Sequence, residues 1–88
     1  MIHYIKIQAK YYARKLDGLK PFEIRLNDRD YQVGDKIVFE VIEDESGPFV
    51  CYEQNYWLIT YVHSGLGLED GYVVMTTVQE NKKENPDE

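Results

Sequence analysis

Gly18-Leu19-Lys20-Pro21-Phe22-Glu23-Ile24-Arg25-Leu26-Asn27-Asp28-Arg29-Asp30 is the stretch on which the reading of the fold turns, because a helix end, a strand and two turns meet within it. Phe22, Ile24 and Leu26 alternate with Glu23 and Arg25, which is the period of a strand. The expectation is that the three apolar side chains enter a core while the carboxylate and the guanidinium stand on the opposite face. Lys20 precedes this strand and Arg29 follows it. A cluster that mixes donors with acceptors suits a ligand carrying both phosphate and base edges better than it suits simple charge attraction. The competing reading is a solvated strand face whose charges satisfy one another.

Toward the N-terminus, Gln8 to Asp17 has helical period, with Ala9, Tyr12, Ala13 and Leu16 forming one apolar stripe. Arg14 and Lys15 near its end oppose the helix dipole, and Gly18 is placed to stop the helix in the left-handed conformation. Before the helix, Ile2 to Ile7 reads as a strand with Ile5 and Ile7 inward and Tyr4 and Lys6 outward. His3, at its start, reads as a structural or surface residue, and no metal site is expected. Toward the C-terminus, Asn27 to Asp30 is turn chemistry and Gly34 is expected in a conformation closed to other residues. Lys36 to Ile42 is the next strand, with Ile37, Phe39 and Val41 on one face. An acidic loop, Glu43 to Pro48, follows. Extended chain then runs from Phe49 to Val62, His63 to Gly71 is a glycine-rich loop, and Tyr72 to Val78 is the closing strand. Trp57 is expected in the sheet packing. One helix against five or six short strands implies an α+β fold: a small, mainly antiparallel, partly open β-barrel with the helix packed against it. Residues 1–78 form that domain, and 79–88, without an apolar anchor, are expected to be a disordered acidic tail.

The composition, 88 residues with 43% hydrophobic content, suits one small core. One cysteine, Cys51, excludes an internal disulfide, and no apolar run approaches the roughly 20 residues of a membrane span. A soluble cytoplasmic protein without a secretory leader is expected. The net charge of -6 argues against indiscriminate nucleic-acid binding, yet eight of the ten basic residues lie within the first 36. No lysine or arginine occurs between Ile37 and Asn81, so a polyanion has only the N-terminal part to bind.

Gly18-x-Lys20-x-x-Glu23-x-Arg25 resembles the Gly-x-Lys-x-x-Glu-x-Arg signature of the ASCH (activating signal cointegrator homology) domains, within the PUA-like superfamily. The likeness extends to a short bacterial and phage subgroup through His3-x-Ile5-Lys6-Ile7, Tyr11-Tyr12, Asn27-Asp28-Arg29, Val33-Gly34-Asp35 and Gly71-Tyr72-Val73-Val74. This resemblance implies a PUA-like barrel that binds RNA or a modified nucleotide in a cleft between helix and barrel, with no cofactor. Lys20 and Arg25 would engage phosphate and Glu23 an exocyclic amine or ribose hydroxyl, with Lys6, Asn27 and Arg29 as further candidates. Some relatives look like small amidohydrolases that deacylate a modified cytidine with the signature lysine and a hydroxyl-bearing residue three positions later; here that position is Glu23, so the expected nucleophile is missing. Others are reported as nucleases. The alternative function is thus a small hydrolase, amidohydrolase or ribonuclease, using Lys20 and Glu23. A third reading is a protein-interaction module that mimics nucleic-acid charge through its acidic half.

Overall fold

The first strand, β1 (Ile2–Gln8), passes directly into helix α1 (Ala9–Leu16). The helix stops where its sequence says it must. Gly18, at φ 77°, donates its amide to the Lys15 carbonyl at 3.0 Å, and Leu19 donates to the Arg14 carbonyl at 2.9 Å, the paired bonds of a Schellman ending. The chain then returns as β2 (Phe22–Leu26), β3 (Lys36–Ile42), β4 (Phe49–Tyr52), β5 (Tyr56–Ser64) and β6 (Tyr72–Glu80). These elements come from a computed structural model that describes residues 1–43, 49–52 and 55–80, the segment 49–52 by its backbone course alone. The acidic loop beyond Glu43 and the tail from 81 onward lie outside the described residues.

The strands form one curled, mixed sheet in the order β1-β3-β5-β6-β2, with β4 paired to β3 off this path. β1 and β3 run parallel, in register Ile5 to Phe39, and the other pairs are antiparallel. β1 and β2 are the two ends of the path. They do not pair with each other, so the curl is a half-barrel with an open seam between them, and α1 leaves from one lip of it. Ile5, Ile7, Tyr12, Tyr31, Ile37, Phe39, Val41, Trp57, Ile59, Val73 and Met75 fill the interior. Tyr12, Phe39 and Trp57 meet edge to face with centroids 5.7–6.1 Å apart, which fixes the helix on the sheet. Trp57 is in the core, as its strand context implies. Among the described residues, no helix is long and apolar enough to cross a membrane.

Three expectations are corrected. In β2 the facing is reversed: Glu23 is 2% exposed, while Phe22, Ile24 and Leu26 are 38, 52 and 51% exposed. Alternation requires one set to be inside, and the hydrogen bond from the Thr77 amide to the Pro21 carbonyl (2.9 Å) sets the strand in the parity that turns Glu23 inward. On α1 the buried residues are Tyr12 and Lys15, with Ala13 and Leu16 exposed, so a lysine occupies the inner face in place of the expected apolar stripe. Lastly, Gln79 and Glu80 belong to β6, paired with Trp57 and Tyr56, and Glu80 accepts an ion pair from Lys36 at 2.7 Å. β5 likewise runs on through His63 and Ser64, shortening the glycine loop.

The N-terminus is tied down by Asp35. Its carboxylate meets His3 Nε2 at 2.8 Å and the Met1 ammonium at 3.4 Å, and accepts the Gln32 amide at 3.2 Å. Burial pushes this carboxyl up, but those three donors outweigh burial and leave it below its ordinary value. The unfolded chain therefore takes up the proton first on acidification. Asp35 stabilises the fold above about pH 4 and loses that contribution as pH falls through the folded value. Asp35→Asn is expected to cost about 1–3 kcal/mol at pH 7 and to flatten the acid limb of the stability curve. Urea unfolding followed by circular dichroism at pH 3 to 7 checks this; an unchanged limb refutes it.

Candidate functional site

The seam between β1 and β2 holds a cleft of about 540 Å³ lined by Lys6, Ile7 and Gln8 from β1, Tyr11 from α1, Lys20, and Phe22 to Arg25 from β2, with Ile42 at the back. Four of the six residues expected to bind a ligand, Lys6, Lys20, Glu23 and Arg25, are brought together here. Arg29 lies in an adjoining hollow of about 390 Å³, which shares Lys6 and Arg25 with the cleft. Asn27 lines neither: its Oδ1 accepts the Tyr31 amide at 3.0 Å and holds the turn.

Glu23 organises the cleft from its floor. Oε2 is 3.2 Å from Lys15 Nζ and 3.3 Å from Lys20 Nζ, and Oε1 accepts Arg25 Nη2 at 2.8 Å and Nε at 3.2 Å. Three cations thus share one carboxylate. Burial acts to raise the Glu23 carboxyl, but Lys15, Arg25 and Lys20 together outweigh it and hold the group below its ordinary value. Lys15 is lowered too, because burial disfavours its ammonium and the neighbouring cations oppose the single carboxylate that attracts it.

Lys15 is the residue that sequence reasoning missed. Its side chain is fully buried; Nζ donates to Thr77 Oγ1 at 2.8 Å and to the Lys20 carbonyl at 3.3 Å, and sits 4.8 Å from the centroid of the Trp57 ring. Helix position alone made it a dipole-compensating surface base. The available signal was its spacing from Tyr12, i to i+3 on one helix face, combined with a glutamate that a parity change in β2 would bury.

Lys20 and Arg25 keep donors in reserve. Lys20 Nζ also donates to the Phe22 carbonyl at 3.0 Å, and lies 4.9 Å from the Phe22 ring centroid and 5.9 Å from that of Tyr11. Among the described residues that leaves one of its three N–H groups, while Arg25 spends Nε and one Nη2 N–H on Glu23 and retains Nη1. Among the described residues the Lys6 side chain makes no hydrogen bond or ion pair, with Glu40 opposite it in the β1–β3 register. With three cations lining it against one anion, the cleft is a positive hollow in a negative protein. Its aromatic rim, Tyr11 and Phe22, offers faces for a planar group. Among the described residues no cluster of three or more His, Cys, Asp or Glu is arranged to hold a metal ion.

No curated protein matches the chain. A family model described as a domain of unknown function, DUF3850, matches residues 2–77, from the start of β1 into β6, and so includes every residue that lines the cleft and the hollow beside it. The chain belongs to the DUF3850 family.

Proposed function

We propose that this protein is an RNA- or modified-nucleotide-binding module of the PUA-like, ASCH-type kind, with its ligand in the cleft between α1, β1 and β2. The observation that supports this is the convergence of Lys20 and Arg25 on the buried Glu23 within an open cleft rimmed by Tyr11 and Phe22. Glu23 spends its charge on aiming the two cations, so their remaining N–H groups point with fixed geometry at an incoming phosphate. The rings supply a stacking surface for the base. A cleft of this volume accepts one nucleotide.

The hydrolase reading draws less support. A proton-transferring Glu23 would need basicity near neutral pH, and the three cations lower it. Binding therefore stands as the conclusion.

Ribonucleoside 5′-monophosphates titrated into ¹⁵N-labelled protein are expected to shift amides in residues 18–25. Arg25→Ala is expected to weaken the tightest of them about 10- to 100-fold, the size of a charge-assisted pair. Glu23 retains Lys15 and Lys20 in this variant, so the fold persists. Shifts confined to the acidic half of the chain, or none at all, refute the proposal.

A further inference from the structure

The cleft does not end at Arg25. Its neighbour is lined by Ile5, Lys6, Arg25, Leu26, Asp28, Arg29, Tyr31 and Glu40, so both hollows run along the same seam and meet at a wall made of Lys6 and Arg25. We infer that the seam is a two-subsite groove for single-stranded RNA, in which Lys6 and Arg25 hold the phosphodiester linking two nucleosides, one in each hollow. This inference rests on the proposed nucleotide-binding function and goes on to name the polymer and its register.

Charge fixes the register. The second hollow carries Asp28 and Glu40 beside Arg29, so a phosphate buried in it would be repelled, whereas the shared wall is cationic from both strands. Asp28, Glu40 and Arg29 instead provide acceptors and donors for base edges, with Ile5 and Leu26 as apolar contact. The volumes, about 540 and 390 Å³, each admit a nucleoside-sized group. The Lys6 side chain, opposite Glu40 in the β1–β3 register, makes no hydrogen bond or ion pair among the described residues and stands as a cation at the junction.

An extended peptide is the other polymer whose shape suits an open seam between two strands. The backbone argues against it. Arg29 Nη1 already donates to the Tyr4 carbonyl at 2.6 Å, Lys20 Nζ to the Phe22 carbonyl, and the Asp28 amide to the Leu26 carbonyl at 2.8 Å. Acceptors that an added strand would need are thus filled by the chain itself, two of them by cationic side chains.

The test compares three probes on the full chain: ribonucleoside 5′-monophosphates, the sixteen ribodinucleoside monophosphates, and a five-residue glutamate peptide. The tightest dinucleotide is expected to bind at least tenfold more tightly than the tightest mononucleotide and to shift the amides of Arg29 and Tyr31, which the mononucleotide leaves in place. Lys6→Ala is expected to weaken the dinucleotide about tenfold and to reduce its salt dependence by somewhat under one counterion. Arg29→Ala is expected to bring the dinucleotide down to the affinity of the tightest mononucleotide for the wild-type protein. Should Arg29→Ala lose its fold, Lys6→Ala, which removes a side chain that makes no hydrogen bond or ion pair among the described residues, still decides. Equal affinity for the two nucleotide classes with Arg29 and Tyr31 unmoved overturns the groove but leaves the mononucleotide site standing. Binding of the peptide alone overturns both.

Discussion

Glu23→Leu is expected to destabilise the fold by about 3–5 kcal/mol, because removing one member of a buried charge cluster strands the others. Lys15 is left fully buried, with the Thr77 hydroxyl, the Lys20 carbonyl and the Trp57 and Phe39 rings around it but no carboxylate among the described residues. That is a large part of the roughly 5–15 kcal/mol by which domains of this kind are stable. Glu23→Gln is the gentler comparison, since the amide oxygen still accepts from Arg25 while the charge is gone. The two substitutions share a pH signature. The folded carboxyl lies below its ordinary value of 4.5, so the unfolded state binds the proton first as pH falls. Glu23 therefore contributes fully above about pH 4.5, and the contribution disappears as pH falls through the folded value. Urea unfolding at pH 7 and pH 3.5 is expected to show a wide gap between wild type and Glu23→Leu at the higher pH and one narrower by up to about 1.4 kcal/mol at the lower, the linkage of one carboxyl over one pH unit. An equal gap at both values would mean that the carboxylate charge does not stabilise the floor of the cleft.

The inward turn of Glu23 marks the boundary of what the sequence could reveal. Local chemistry was legible: Gly18 stops the helix, Asn27 caps its turn, Gly34 takes φ 96°, and the branched and aromatic runs become β3, β5 and β6. So was the membership of the cleft, because Lys20, Glu23 and Arg25 are close in the chain. What stayed hidden was parity and partnership. A five-residue alternating strand fixes which side chains share a face, but the choice of the inner face depends on pairing with β6, some fifty residues away. Apolar residues at Phe22, Ile24 and Leu26 made the wrong face look like the inner one. Lys15 stayed hidden for the same reason, since its hydrogen-bond partner Thr77 is 62 residues distant. Tertiary charge pairing here overrides the hydrophobic pattern, and it does so at the candidate site, where local rules are most often broken.

Lys15 and Glu23 together allow a sharper measurement than either alone. Lys15→Met keeps the length of the stem and puts a thioether against Trp57 and Phe39, but leaves Glu23 with only Lys20 and Arg25; it is expected to cost up to about 3 kcal/mol. In the double variant Lys15→Met/Glu23→Leu no buried charge remains at the floor of the cleft, and Lys20 and Arg25, whose side chains are 22 and 26% exposed, can turn into the open cleft. The double variant is therefore expected to lie within about 1–2 kcal/mol of wild type, far below the sum of the singles, giving a coupling energy of about 3 kcal/mol or more, at or beyond the upper end of the roughly 0.5–3 kcal/mol typical of contacting residues. Additive losses would show that the 3.2 Å contact between them carries no net energy. Nucleotide binding is expected to move the opposite way. With the floor carboxylate gone, Arg25 loses the acceptor that aims it and Lys20 keeps only the Phe22 carbonyl among the described residues, so the well-folded double variant should bind the tightest monophosphate at least tenfold more weakly than wild type. A buried ion cluster that the fold can do without, but the ligand cannot, is one whose role is to aim its cations.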